Sequence, residues 1–355
     1  MAYTTIDDSS AHFQTLLYTG NGGSQTMTND GNSDLQPDFL WIKQRSGTEN
    51  HYLGNSSIAN KFLNSDRTDT ESTNISGKEL TYNSDGFAFA GSDSTWNGSS
   101  STYVAWQWKA NGGSTTTNDA SATGVGTIDS VYQANTTARF SIVTYSGSGS
   151  AGTIAHGLGV TPNWVIIKNR GSSARGWIVY HDKSHGTPEE NFTLLNTNAA
   201  VADLDRMNDT APTSTVFSVS DDTHVNNGSD TYVAYCFANV QGYSKFGSYA
   251  GNNSTNGPFV YTGFTPAWVM IKRTDGGTNN WPIWDYERGV YNGARAELYA
   301  NLTNAEATDS AIDILSNGFK LRNASTEWNN GTNYIYMAFA EHPFVSSKGV
   351  PTTAR

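Results

Sequence analysis

Carboxylates are the first side chains to test for chemistry in this sequence of 355 residues. Two adjacent acidic pairs occur, Glu189 with Glu190 and Asp221 with Asp222. Neighbouring strand residues point to opposite faces, whereas glycoside hydrolysis needs two carboxyl groups about 5–10 Å apart around one bond. The sequence also lacks nucleophile-elbow, phosphate-loop and zinc-protease motifs. We therefore predict no catalytic site and no enzyme activity, and we disfavour a depolymerase.

Metal ligands and a reactive thiol are the next candidates. His156, His181 and His185 lie in one unit, but no HExxH motif is present and we expect these histidines on the surface. The single cysteine, Cys236, sits within an apolar strand pattern and is predicted to be a buried, inert thiol. The oxygen-rich stretch 29–34 departs from EF-hand spacing, so an ordinary turn is favoured over a calcium loop. We predict no metal and no cofactor.

Aromatic residues near predicted loops could stack on sugar rings. The alternative is packing in a core or an interface, where Trp and Tyr serve equally well. The candidates for carbohydrate binding are Trp177, Tyr180, Trp281, Trp284 and Trp328.

Composition limits the classes of protein that fit. Charged residues make up 15% of the chain and the formal net charge is −11, without a basic run, which argues against a nucleic-acid partner. The apolar runs fall short of the roughly 20 residues that span a bilayer, and the first residues do not resemble a secretion signal. Abundant turn formers between apolar runs predict many short strands.

A motif of seven residues recurs three times with the pattern P-x-[FW]-[LV]-x-I-K. It occupies 37–43, 162–168 and 266–272. A tyrosine of an opening strand precedes each copy by 19, 17 and 17 residues, and a closing strand begins 66, 70 and 68 residues after its proline. Nearly constant spacing of ordered markers indicates an internal repeat. Asn-Gly turns before the closing strands support hairpins there.

These markers predict an all-β protein with three tandem antiparallel β-sandwich repeats, of jelly-roll or lectin-like type. Helix is not expected beyond single turns near 199–203 and 304–309. The predicted divisions are an arm at 1–12, the first repeat at 13–110, a linker at 111–139, the second repeat at 140–241, and the third repeat with its tail at 242–355.

The motif strand carries apolar residues on both of its faces, so we expect it to be central and covered on both sides. Trp41, Trp164 and Trp268 lie on its aromatic face. A loop, another repeat or another chain must cover that face, so these three residues are predicted interface residues. The same face predicts self-association or docking on other proteins.

Several segments together resemble a family of repetitive virion proteins of tailed bacteriophages, often described as tail-fibre-like with lectin-like or concanavalin-like repeats. The segments that carry this resemblance are 140–145, 156–160, 232–237, 242–249 and 338–344. The resemblance extends from about residue 13 to the last residue, and it implies a structural role in the virion. Heptad repeats and a collagen-like shaft are absent from the sequence, so we expect a compact appendage.

The expected function is therefore that of a bacteriophage virion structural protein, displayed on the surface as a tail fibre or tail appendage and contacting the host. The alternatives are a head-surface fibre or capsid decoration protein, and a lectin-like glycan-binding module. The expected partners are other virion proteins, further copies in a homo-oligomer such as a trimer, and host surface glycan. Membrane insertion is not expected, and the expected location is the virion, after synthesis in the host cytoplasm without Sec secretion.

Overall fold

The chain folds into antiparallel sheets that form three β-sandwich bodies, as predicted. The computed structural model describes residues 2–73, 76–172, 174–289 and 294–352. Two α-helical turns, α1 (Ala120–Thr123) and α2 (Thr223–Asn226), and two 3₁₀ turns (Ser9–Ala11 and Pro188–Glu190) accompany the strands in this part of the chain.

The strands divide among the three repeats. The first repeat contains β1 (Phe13–Thr19), β2 (Gln25–Met27), β3 (Phe39–Gln44), β4 (Tyr52–Asn55), β5 (Ile58–Leu63), β6 (Ser72–Thr73), β7 (Leu80–Tyr82), β8 (Phe87–Phe89) and β9 (Thr102–Trp108). The second contains β10 (Thr116–Asn118), β11 (Ser130–Asn135), β12 (Phe140–Ser146), β13 (Gly152–Ala155), β14 (Trp164–Asn169), β15 (Ile178–His181), β16 (Asn191–Leu194), β17 (Ala202–Asp203), β18 (Val216–Val219) and β19 (Thr231–Phe237). The third contains β20 (Ser244–Ala250), β21 (Phe259–Tyr261), β22 (Phe264–Arg273), β23 (Pro282–Asp285), β24 (Ala294–Tyr299), β25 (Ala307–Leu315), β26 (Gly318–Leu321) and β27 (Asn333–Pro343).

One strand order recurs in the main sheet of every repeat. The closing strand lies between the opening strand and the motif strand, and two further strands continue the sheet. The orders are β1-β9-β3-β4-β5, β12-β19-β14-β15-β16 and β20-β27-β22-β23-β24. A smaller layer packs over one face of each sheet and encloses a core that belongs to that repeat. The sequence repeat is therefore a repeat of topology.

The motif strands are central and covered on both sides, which confirms the prediction from their composition. All six residues of β3 and all six of β14 are buried, and nine of the ten in β22 are buried. One face of each strand lies in the core of its own repeat. The other face contributes to a single cluster that contains residues from all three repeats. Another repeat, rather than another chain, covers the aromatic face.

Each repeat has a buried asparagine at its Asn-Gly marker, either within the marker, as for Asn97, or directly before it, as for Asn226 and Asn329. In the second repeat, Asn226 accepts from the backbone N–H of Ser148 (2.7 Å) and donates to the carbonyls of Ser150 (2.6 Å) and Ser220 (2.9 Å). Asn97 and Asn329 make the corresponding bonds to their own opening loops. Because an unpaired buried carbonyl is costly, each asparagine fixes the start of its closing strand.

Segment 111–139 is not the linker that the sequence predicted. Within it, β10 pairs with β11 and β11 pairs with β12, so both strands extend the main sheet of the second repeat. The proposed helical turns are also wrong. Residues 202–203 form β17, and 307–309 belong to β25, because pairing with neighbouring strands overrides a weak local preference for helix.

The predicted arm packs on the third repeat. The hydroxyl of Tyr3 donates to the carbonyl of Gly263 (2.7 Å), and the side chains of Thr4 and Ile6 are buried. The backbone N–H of Ser347 donates to the Oδ1 atom of Asp7 (2.6 Å). Residues near both ends of the chain therefore meet on one repeat.

Candidate functional site

The most elaborate constellation in the molecule lies where the three repeats meet. The predicted interface residues Trp41, Trp164 and Trp268 are at most 2% exposed and belong to one apolar cluster. Aromatic pairs within this cluster cross between repeats. The ring centroids are 4.3 Å apart for Phe39 and Tyr235, 6.2 Å for Trp106 and Trp268, and 5.9 Å for Phe237 and Phe339. Each repeat thus contacts both of the others.

The residue just before the strand that follows the motif strand contacts a neighbouring repeat in each case. The indole N–H of Trp177 donates to the carbonyl of Asn64 (2.9 Å), and that of Trp281 donates to the carbonyl of Leu194 (2.9 Å). In the first repeat the equivalent residue is His51, whose Nε2 atom lies 2.9 Å from the carbonyl oxygen of Tyr299 in the third repeat. The three interfaces therefore close a ring with pseudo-threefold symmetry.

The tautomer of His51 follows from its partners. Its Nδ1 atom accepts from the indole N–H of Trp41 (2.8 Å), so its proton is on Nε2, which donates towards the carbonyls of Tyr299 and Leu302. Burial, reinforced by the charge of Lys43, lowers the pKa of His51 to about 3. The imidazole is consequently a neutral connector between the first and third repeats.

The lysine that ends each motif is fully buried. Lys168 donates to the carbonyls of Arg175 (2.7 Å) and of Thr68 in the first repeat (3.2 Å). Lys272 donates to the carbonyls of Asn279 (2.5 Å) and of Asn198 in the second repeat (3.1 Å). Burial lowers the pKa of Lys43, Lys168 and Lys272 to about 8 in each case. The ammonium groups of Lys168 and Lys272 therefore join neighbouring repeats through backbone carbonyls.

Ion pairs cross two of the three interfaces at equivalent positions. Arg45 pairs with Glu306 (2.8 Å), and Arg170 pairs with Glu71 (2.7 Å). In both cases the backbone N–H of the glutamate also donates to the carbonyl of the arginine. At the third interface Val201 and Thr274 make the same backbone contact without the ion pair.

A buried polar group joins the first and third repeats near the aromatic cluster. The Oδ2 atom of Asp285 accepts from the indole N–H of Trp106 (2.8 Å) and from the Nε atom of Arg288 (2.6 Å). The guanidinium of Arg288 also lies over the Trp106 ring, 5.4 Å from its centroid. The side chains of Asp285 and Arg288 are both 0% exposed, so this ion pair is fully desolvated.

The five aromatic residues predicted to bind sugar are all buried. Trp177 and Trp281 lie at the interfaces between repeats, and the other three lie in the cores of single repeats. None of the five presents a ring to solvent, because docking of the repeats and of the smaller layers covers them. This corrects the carbohydrate-site prediction. The residues concerned, each at most 3% exposed, are Trp177, Tyr180, Trp281, Trp284 and Trp328.

The histidines of the second repeat were predicted to lie on the surface, but two are fully buried. Burial lowers the pKa of His156 to about 4 and that of His181 to about 3. Cys236 is buried, as predicted, and burial raises its pKa to about 12. Within the described residues, no group of three or more His, Cys, Asp or Glu side chains is placed to hold a metal ion.

Sequence reasoning missed several residues that join the repeats, namely His51, Glu71, Asp285, Arg288 and Glu306. For His51 the alignment of the three repeats offered a signal. His51 occupies the position that Trp177 and Trp281 hold, directly before the strand that follows the motif strand. Glu71 and Glu306 carry no comparable signal, because Arg170 and Arg45, with which they pair, lie 99 and 261 positions away.

Fold and interfaces together define an all-β protein in which three related sandwiches close into a ring within one chain. The chain belongs to the family described as domain of unknown function DUF7483, whose model matches residues 8–343. No curated protein matches the sequence. Among the described residues, no helix is long and apolar enough to cross a membrane.

Proposed function

We propose that this chain is a structural protein of a bacteriophage virion, displayed on the particle as a compact tail appendage that contacts the host. The proposal rests on the resemblance of the repeated segments to tail-fibre-like virion proteins. Capsid decoration or a head-surface fibre is the alternative placement of the same molecule.

The closed ring is the observation that best supports a structural role. Buried aromatic and lysine–carbonyl contacts, together with partly exposed ion pairs, hold every repeat against the other two. Opening one repeat would expose aromatic surface on its neighbours and leave buried polar groups without partners, which is unfavourable. A rigid body with three related faces suits a component that must keep its shape while mounted on a particle.

Closure of the ring also affects how the chain can assemble with other proteins. The apolar strand face that predicted self-association is covered by repeats of the same chain. The pseudo-threefold axis therefore gives one chain a symmetry that three separate subunits would otherwise supply. Within the proposed function, the partners of this chain are other virion proteins, and that face does not require further copies of the chain.

Immunogold electron microscopy tests the proposal. Antibodies raised against the recombinant chain should label gradient-purified particles of the phage that encodes it, and gold on the tail rather than the head would select the appendage. Antibodies against a non-virion phage protein serve as the control. The proposal would be wrong if the chain were abundant in infected lysate but absent from banded particles.

A further inference from the structure

The third repeat departs from the pseudo-threefold pattern on its outer surface. In β21 the middle residue, Val260, is buried, and its neighbours Phe259 and Tyr261 are 44% and 50% exposed. Alternation along the strand places both rings on the same outward face. The strands that correspond to β21 are β2 in the first repeat and β13 in the second, with Met27 and Ile154 at the buried position of Val260. The residues that flank these two, in the positions of Phe259 and Tyr261, are Thr26, Thr28, Thr153 and Ala155. Two adjacent exposed aromatic rings are thus a feature of the third repeat.

A groove of about 440 Å³ lies beside these two rings. Part of its lining is a pair of residues whose sizes are exchanged relative to the other repeats. In the first and second repeats the opening strand carries a large residue opposite alanine, namely Leu16 opposite Ala105 and Val143 opposite Ala234. In the third repeat the opening strand carries Gly247, which faces Tyr336. A Cβ atom on Gly247 would lie 2.6 Å from the hydroxyl oxygen of Tyr336. Glycine therefore makes room for the Tyr336 hydroxyl at the groove.

Polar and cationic side chains complete the groove. Lys183 from the second repeat and Lys245 from the third line it, together with Asn239. The side chain of Lys183 is 56% exposed and its Nζ atom lies 3.3 Å from the Oδ2 atom of Asp182. The Oδ1 atom of Asn239 accepts from the backbone N–H of Phe246 (2.7 Å), which fixes that side chain. Two cations in one groove are notable in a chain with a net charge of −11.

The Tyr261 ring is held in place from outside the strand. Its hydroxyl oxygen lies 3.2 Å from the hydroxyl oxygen of Tyr3, which in turn donates to the carbonyl of Gly263 (2.7 Å). An exposed ring that is already fixed loses little freedom on binding, so it can contribute more of its contact energy to affinity.

We propose that this groove binds an acidic oligosaccharide. Phe259 and Tyr261 provide apolar surfaces for the C–H faces of sugar rings, while Lys183 and Lys245 pair with carboxylate or phosphate groups. The amide of Asn239 and the hydroxyl of Tyr336 supply hydrogen bonds to sugar hydroxyls. The inference does not depend on whether the chain is part of a virion.

Size distinguishes this occupant from a protein partner. Stable protein interfaces bury about 800 Å² on each partner, whereas pockets of about 300–1,000 Å³ suit small ligands. Two exposed rings beside a groove of about 440 Å³ match the second case. Mixed aromatic, amide and ammonium lining also suits a ligand that combines apolar faces with hydroxyl and anionic groups.

Isothermal titration calorimetry with two matched panels tests the proposal. One panel contains uronate-bearing and phosphate-bearing oligosaccharides, and the other contains neutral glucans of the same length. We expect the wild-type chain to bind members of the acidic panel. Tyr261→Ala, Phe259→Ala and Lys245→Glu should each weaken that binding about tenfold or more. Thr26→Ala, at a matching outward position of the first repeat, is the control and should leave affinity unchanged.

All of these substitutions are at surface positions, and an unchanged unfolding midpoint will verify that each variant is folded. The proposal is overturned if the wild type binds neither panel, or if the folded Tyr261→Ala and Phe259→Ala variants bind as the wild type does. It is also overturned if sedimentation shows that the two rings mediate self-association instead. The immunogold experiment is separate, so failure of the virion proposal can be told from failure of this one.

Discussion

The indole N–H of Trp106, in the closing strand of the first repeat, donates a hydrogen bond of 2.8 Å to the Oδ2 atom of Asp285 in the third repeat. The same oxygen accepts from the Nε atom of Arg288, whose backbone N–H bonds the other carboxylate oxygen of Asp285. One buried carboxylate therefore links the two repeats that lie farthest apart in sequence.

Asp285→Asn should strongly destabilise the protein. An asparagine can still accept from Trp106, but it leaves the buried charge of Arg288 with one carboxylate partner, Glu306 (3.3 Å), beside its bond to the carbonyl of Ile283 (3.1 Å). Loss of one partner of a buried pair costs about 3 kcal/mol. Urea unfolding followed by tryptophan fluorescence measures the effect. Asp69→Asn, in the exposed pair with Arg67, is the control and should change stability by less than about 0.5 kcal/mol. Equal stability of the two variants would contradict a central role for Asp285.

The three motif lysines should make stability rise with pH in the alkaline range. In the folded state the pKa of each is about 8, against 10.5 for an unperturbed lysine. Between these values the unfolded chain binds more protons than the folded chain, so the free energy of unfolding increases as pH rises. The useful window ends near pH 10, where tyrosines of the unfolded chain begin to ionise.

Replacing Lys43, Lys168 and Lys272 together with methionine should abolish most of this slope, which amounts to as much as about 1.4 kcal/mol per pH unit for each lysine. Urea unfolding at about pH 7, 8 and 9 measures it. Lys183→Met serves as a control at an exposed site and should keep the wild-type slope. A flat profile for the wild-type chain would show that the buried lysines keep their protons up to about pH 9, so that burial does not lower their pKa.

His51 should contribute to acid sensitivity. Its folded pKa is about 3, against 6.5 for an unperturbed histidine. As pH falls below 6.5 the unfolded chain takes up a proton that the folded chain does not, so stability is lost between pH 6.5 and 3. His51→Gln should reduce the slope by up to about 1.4 kcal/mol per pH unit.

Thermal unfolding at a series of acidic pH values checks this prediction, with His342→Gln as the control because the side chain of His342 is 47% exposed. His156 and His181 also have lowered pKa values, so the His51→Gln variant should retain part of the wild-type slope. If the two variants had the same pH profile, the assignment of His51 as a neutral connector would be wrong.

An ion pair can be added where the third interface lacks one. Because Thr274 and Val201 occupy the positions of Arg45 and Glu306, Thr274→Arg combined with Val201→Glu should create an equivalent pair. The expected coupling in a double-mutant cycle is about 0.5–1 kcal/mol, typical of partly exposed pairs. The reference is the Arg170–Glu71 pair, measured in the same way. Zero coupling would mean that the two side chains do not meet, although the backbone hydrogen bond between Val201 and Thr274 corresponds to that between Glu306 and Arg45.

The sequence predicted the fold well because its strongest signals are local. Spacing of the three motifs revealed the repeats, and the two-sided apolar pattern of residues such as Trp164 to Lys168 correctly indicated a covered central strand. The pattern of β11 was missed because its alternation is weak and it follows a stretch rich in glycine and threonine. Pairing with β12, rather than its own composition, makes it a strand.

The contacts that hold the ring together were beyond sequence reasoning. Exposure of Trp177 or Trp281 depends on which repeat docks against it, and a single sequence carries no record of that docking. Arg45 and Glu306 are separated by 261 positions, so nothing local pairs them. Phe259 and Tyr261 were identifiable in principle, because two aromatic residues flank a valine where the other repeats carry smaller residues.

Closure of the ring by the first and third repeats sets an order of events during synthesis. The aromatic face that includes Phe39 and Trp106 leaves the ribosome long before Trp268 and Asp285 exist to cover it. Translation proceeds at about 5–20 residues per second, so the nascent first repeat exposes this face for roughly ten seconds or more. During that interval the same face of another nascent chain could bind in place of the third repeat, and polysomes producing this protein face a risk of intermolecular domain exchange.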